Sequence, residues 1–141
     1  MPTSSRPKGL IFRSLIVWGL IMAAETLHGI ARSVLLEPYI GDLSARRIGV
    51  ATGSVIILAI AFAFVRWIGT RTRWQLLAVG LLWLGLTLIF EIVLGRFVIG
   101  YSWERLFSDY NVAEGGFLAF GMLFLALSPL IAARIRRIGV A

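Results

Sequence analysis

Four apolar runs divide the chain: about Arg13 to Leu36, Arg47 to Trp67, Trp74 to Gly95, and Asn111 to Ala133. Each is long enough to cross a hydrocarbon layer of about 30 Å as a helix. In lipid only helices and closed barrels satisfy their own backbone, and runs such as VIILAIAFAFV lack the alternation that a barrel strand requires. The pattern therefore predicts an all-α integral membrane protein. It is a single domain, 1–141, folded as a four-transmembrane-helix bundle of two helical hairpins.

The connection between the third and fourth spans carries a pattern of its own. Trp103, Leu106, Phe107 and Tyr110 fall at i, i+3, i+4 and i+7, while Glu104, Arg105, Ser108 and Asp109 face the other way. Ser102 is well placed as an N-cap. This predicts a short amphipathic helix over about 102–110, lying in the membrane interface with its aromatic rings at headgroup level.

The two halves of the chain share an order of residues that predicts a parallel pseudo-repeat of hairpins. Trp18 and Trp83 precede Glu25 and Glu91; Gly29 and Gly95 follow, then Arg32 and Arg96. Gly49-x-x-x-Gly53 and Gly115-Gly116 begin the helices that come next. Such a repeat would set the first and third spans side by side and bring Glu25 and Glu91 toward one another. The spacing of Ala45, Gly49 and Gly53 lets helix backbones approach, for which packing inside the bundle is the ordinary use and self-association the other.

Composition agrees with the class, at 59% hydrophobic and 15% charged residues. Cysteine is absent, which excludes disulfides, thiolate metal sites and cysteine nucleophiles. The formal charge of +7 is dispersed in short groups between apolar runs, so it reports topology and not nucleic-acid binding. Arg6, Lys8, Arg13, Arg66, Arg71, Arg73, Arg134, Arg136 and Arg137 fall on one side of the predicted membrane with no acid among them. On the other side Arg32, Arg46, Arg47, Arg96 and Arg105 are balanced by Glu37, Asp42, Glu104, Asp109 and Glu114. Flanking basic residues stay on the cytoplasmic side during insertion, so both termini are expected there, in a bacterial inner membrane. A secretory signal is the competing reading of Arg6, Lys8 and Arg13 before an apolar stretch ending at Ala23-Ala24; the length of that stretch favours a retained span. The basic groups at Arg66, Arg71, Arg73 and Arg134 to Arg137 read as anchors to anionic lipid headgroups.

Ionisable groups at membrane depth are expensive and mark functional candidates. Glu25, His28 and Arg32 share one face of the first span, with Glu25 and Arg32 roughly 10 Å apart along the axis. Thr87, Glu91 and Gly95 share a face of the third, from which Arg96 diverges if the helix continues. The predicted ligand- or proton-binding set is Glu25, His28, Arg32, Glu91 and Arg96. Its expected rim is Arg46, Arg47, Asp109, Tyr110, Asn111 and Glu114.

Four readings fit that set. The glutamates could pair with Arg32, Arg96, Arg46 or Arg47 and serve only to hold register. They could form a solute or proton site, in which a buried carboxylate exchanges its proton as ligand enters. Glu25-x-x-His28 has the spacing used by di-iron bundles, although Leu94 stands where a second histidine would be needed, so no metal and no cofactor are expected. Catalysis on a lipid-like substrate, with His28 or a glutamate as base, lacks a nucleophile signature. The motifs match no family closely enough to carry a function over.

The leading expectation is binding, and passage, of a small polar or ionic solute in the outer half. An accessory subunit of a larger membrane complex, or a homo-oligomer, comes second. A small membrane enzyme is third.

Overall fold

A computed structural model describes residues 7–108, 111 and 118–137, and among them the regular structure is entirely helical. Helix α1 spans Pro7–Ala31 and runs on through a π-helical segment, Arg32–Leu36, into the short α2, Glu37–Ile40. Helix α3 is Asp42–Ile68, α4 is Arg73–Ile92 followed by a second π-helical segment, Val93–Ile99, α5 is Trp103–Ser108, and α6 is Leu118–Ile135. Among the described residues four stretches are long and apolar enough to cross a membrane: Lys8–Ile40, Asp42–Ile68, Arg73–Ile99 and Leu118–Ile135.

The first three run past their sequence-based limits at the end of the bundle where Gly41 and Gly100 lie, here called the upper end. Lys8–Ile40 alone is about 50 Å long at 1.5 Å per residue. The connection expected between Leu36 and Arg47 is reduced to Gly41, whose φ of 87° lets the chain reverse at one residue. Gly100, at φ 88°, ends the other rising helix in the same way, again directly after a π-helical segment. Of the helix expected over 102–110, Trp103–Ser108 is present, and Ser102 Oγ accepts from the Arg105 amide at 3.1 Å as its cap. Asp109 and Tyr110 lie outside the described residues, as does the stretch 112–117 that was expected to open the fourth span.

Around the bundle the neighbours follow the order α1, α3, α6, α4. Helix α3 offers a stripe of buried small residues, Ala45, Gly49, Gly53 and Ala61 among them, and the upper part of that stripe is covered by α1 of the same chain. Helices α4 and α6 meet where Gly80 lies on the carbonyl oxygen of Ala126, an approach that leaves no room for a side chain. Nearby, Pro129 has no amide to give the Leu125 carbonyl, and the Ser128 hydroxyl donates to it instead at 2.7 Å.

Helices α1 and α4 rise side by side and are joined by two indoles. Trp18 Nε1 donates to Thr87 Oγ1 at 3.0 Å, and Trp83 Nε1 donates to the Ser14 carbonyl at 2.9 Å. Both bonds join residues 69 apart, which sets the register of the two helices. Glu91 is thereby level with Met22, so Glu25 stands roughly 4.5 Å higher along the axis.

The lower half holds the apolar core, with Trp83, Ile21, Val17, Leu76, Val65 and Leu125 buried in it. Arg136 closes that end, donating to the Phe62 carbonyl at 2.9 Å with its guanidinium 5.2 Å from the Phe62 ring centroid. Arg13 donates likewise to the Trp67 carbonyl at 3.3 Å. Exposed carbonyls near the C-terminus of α3 thus receive cations, as the helix dipole favours. Arg136, read from sequence as a lipid anchor alone, has this role within the chain as well.

Candidate functional site

The stripe predicted on the first span is built as expected and is held by the small face of α3. Glu25 Oε2 rests on Gly53, where a Cβ would come within 2.8 Å of it. The stem of Arg32 rests on Gly49, where a Cβ would lie 2.9 Å from Cδ. The two glycines therefore make room for an acid and a base, and the backbones of α1 and α3 are not what they bring together.

Between those residues His28 reaches across to α3. Its Nε2 lies 2.6 Å from Thr52 Oγ1, and its Nδ1 lies 3.6 Å from Glu25 Oε2. Thr52 Oγ1 also lies 3.0 Å from the Ile48 carbonyl, to which it donates when His28 carries its proton on Nε2. In a neutral ring Nδ1 then points a lone pair at the Glu25 carboxylate. An imidazole and a carboxylate thus stand side by side on one face of α1.

Among the described residues the glutamates lack the arginine pairing expected of them. Neither Glu25 nor Glu91 makes an ion pair or hydrogen bond with Arg32 or Arg96, and Glu25 Oε1 is buried with no hydrogen-bond partner. Arg46 pairs with Asp42 instead, Nε to Oδ2 at 3.1 Å. Arg96 donates to the Tyr101 carbonyl at 3.4 Å and lies 5.5 Å from the Trp103 ring centroid. Arg32 acts on Glu91 and Asp42 only through space, and its Nε is buried without a partner.

Directly above the stripe is a cavity of about 500 Å³ lined by Arg32, Ser33, Glu37, Asp42, Tyr101 and Arg105. Its wall is tied across the bundle, because Arg105 Nη1 donates to Asp42 Oδ2 at 2.9 Å and joins α5 to the start of α3. The same bond raises the Arg105 guanidinium above its ordinary pKa. Arg105 also lies 5.0 Å from the Tyr101 ring centroid. Arg32 and Glu37 make no ion pair with a described residue, so the cavity offers one uncommitted charge of each sign.

The predicted set is thus divided between places. Glu25, His28 and Arg32 stand together below and at the edge of the charged cavity; Glu91 opens into a different, apolar cavity with α5 as a wall. Arg96 lines neither. Of the expected rim, Arg46 is next to the cavity through Asp42, Arg47 and Asn111 are exposed, and Asp109, Tyr110 and Glu114 lie outside the described residues. Ser33, Glu37, Asp42, Tyr101 and Arg105 were not foreseen as lining residues. The balance of acids and bases at the outer ends of the spans hinted at them, but Asp42 and Arg105 are 63 positions apart and no periodicity links them.

No group of three or more His, Asp or Glu positioned to hold a metal ion occurs among the described residues, and Glu25 with His28 gathers no third ligand there. Compared with models of protein families, with curated proteins and with solved structures, the chain matches none.

Proposed function

We propose that this chain is a small multi-pass protein of a bacterial inner membrane that binds a small polar or ionic solute in the charged cavity and passes it across with coupling to a proton. One observation carries the reading. A 500 Å³ cavity with charged walls stands at the upper end of a helical stripe, and Arg32 belongs to both. Below Arg32 the stripe continues to His28 and Glu25, 3.6 Å apart, which hold one proton between them in this reading. An uncommitted arginine and an uncommitted glutamate in one cavity suit a solute that carries both charges.

The orientation proposed places both termini in the cytoplasm, since nine basic residues and no acid flank the spans on that side. The charged cavity then faces outward, and the basic groups of the opposite face meet anionic lipid.

The test is uptake by proteoliposomes of radiolabelled zwitterionic, anionic and cationic solutes, with internal pH followed by a dye. Wild-type protein is expected to move one class with accompanying proton flux, and Glu25→Gln to remove the pH dependence. Absence of both binding and flux in wild-type protein at every pH would overturn the reading and put an accessory subunit of a membrane complex in first place.

A further inference from the structure

Glu91 has an environment of its own. It is half-buried on α4 and makes no hydrogen bond or ion pair with any described residue. It opens into a cavity of about 250 Å³, separate from the charged one, where Leu88 lies one turn below it and Leu118 enters from α6. Ile92 of α4 and Trp103, Leu106 and Phe107 of α5 complete the lining. Leu106 seats α5 on Gly95, where a Cβ would approach Leu106 Cδ2 to 2.5 Å. The rings of Trp103 and Phe107 stack with centroids 6.1 Å apart and planes at 23°. Both residues are exposed, at 44% and 62%, and both line the cavity, so its rim is aromatic.

Among the described lining residues Glu91 alone ionises. With Glu91 ionised, a neutral apolar guest would leave the carboxylate without a counter-charge, and an anion would be repelled. A bare metal cation would find one carboxylate where it needs six or so oxygen ligands. The guest that satisfies every wall has an apolar body and a single positive charge. Two cations stand nearby without lining the cavity. Arg32 acts on Glu91 through space only, and Arg96 is engaged by the Tyr101 carbonyl and the Trp103 ring. Charge recognition therefore falls to Glu91, and Leu88, Leu106 and Phe107 supply apolar contact.

We propose that the cavity between α4, α5 and α6 binds an amphipathic organic cation, an amine or quaternary ammonium whose charged head pairs with Glu91 while its apolar body lies against α5. This site does not depend on the solute site above Arg32. The experiment uses the full chain in lipid nanodiscs, titrated calorimetrically with benzyltrimethylammonium and, in parallel, with its uncharged isostere neopentylbenzene. The cation is expected to bind more tightly than the isostere. Glu91→Gln should weaken it about tenfold or more, the scale of a partly desolvated charge contact. Glu37→Gln, which alters only the charged cavity, should leave it unchanged. Should Glu91→Gln fail to fold by circular dichroism, Phe107→Ala on the exposed rim must weaken cation binding instead. Equal binding of cation and isostere would mean an apolar crevice and overturn the proposal. So would undiminished cation binding by folded Glu91→Gln, or none by wild-type protein.

Discussion

The carboxylate of Glu25 lies on the bare backbone of Gly53, close enough that a Cβ at that glycine would come within 2.8 Å of Oε2. An acid within an apolar helix is thereby given a place by the absence of a side chain on the facing helix. The atom it would meet is the far end of a flexible side chain, so the seat can be filled without forcing helices apart.

That distinction predicts opposite outcomes for two Gly→Ala substitutions. Gly53→Ala should change stability by about 1 kcal/mol or less, because the carboxylate can turn away, while the Glu25–His28 contact is lost. At Gly80 the obstacle is the Ala126 carbonyl, which belongs to a helix backbone. Gly80→Ala should therefore cost about 1–3 kcal/mol or more, since α4 and α6 must separate. Thermal unfolding of both variants in detergent compares them directly, and equal melting temperatures would contradict the close crossing of α4 and α6.

Glu25→Gln and Glu91→Gln should both retain the wild-type melting temperature to within about 1 kcal/mol of stability. Breaking a buried ion pair strands the partner's charge and costs about 3–5 kcal/mol. The sequence favours that outcome for Glu91, which lies near the arginine-rich end of its span. No arginine is paired with it, however, so nothing is stranded when its charge is removed. A loss of several kcal/mol in either variant would reveal a direct cation partner.

Asp42→Asn should loosen α5 more than it lowers global stability. Asp42 Oδ2 receives both Arg46 and Arg105, at 3.1 and 2.9 Å, and only the second contact links α5 to α3. The side chains are about one-third exposed, so solvent screening limits the global effect to about 1 kcal/mol or less. Hydrogen exchange should speed at the amides of Trp103–Ser108 while those of Val79 and Trp83 keep their protection. Unchanged exchange in α5 would show that Leu106 on Gly95 is enough to hold it.

Apolar length and helical periodicity are properties of neighbouring residues, so the sequence alone determined the four long helices, the α5 helix capped by Ser102, and the common face of Glu25, His28 and Arg32. It also singled out Gly49 and Gly53 as a small-residue surface. What would lie on that surface could not be read, because the rotation of α1 against α3 depends on packing along both helices at once. The same holds for Glu91. Its spacing placed it with Thr87 and Gly95, but only the order α1, α3, α6, α4 and the seating of α5 decided that it lines a cavity with Leu106 and Phe107 and bonds neither Arg32 nor Arg96. The charged cavity is the clearest case. Asp42 and Arg105 meet across 63 residues because two rising helices end at Gly41 and Gly100 on the same side of the bundle. Tertiary structure chose their partners, since a charge at a helix end can satisfy itself with any neighbour the fold brings within 3 Å, and the local pattern of a sequence carries no record of which one that is.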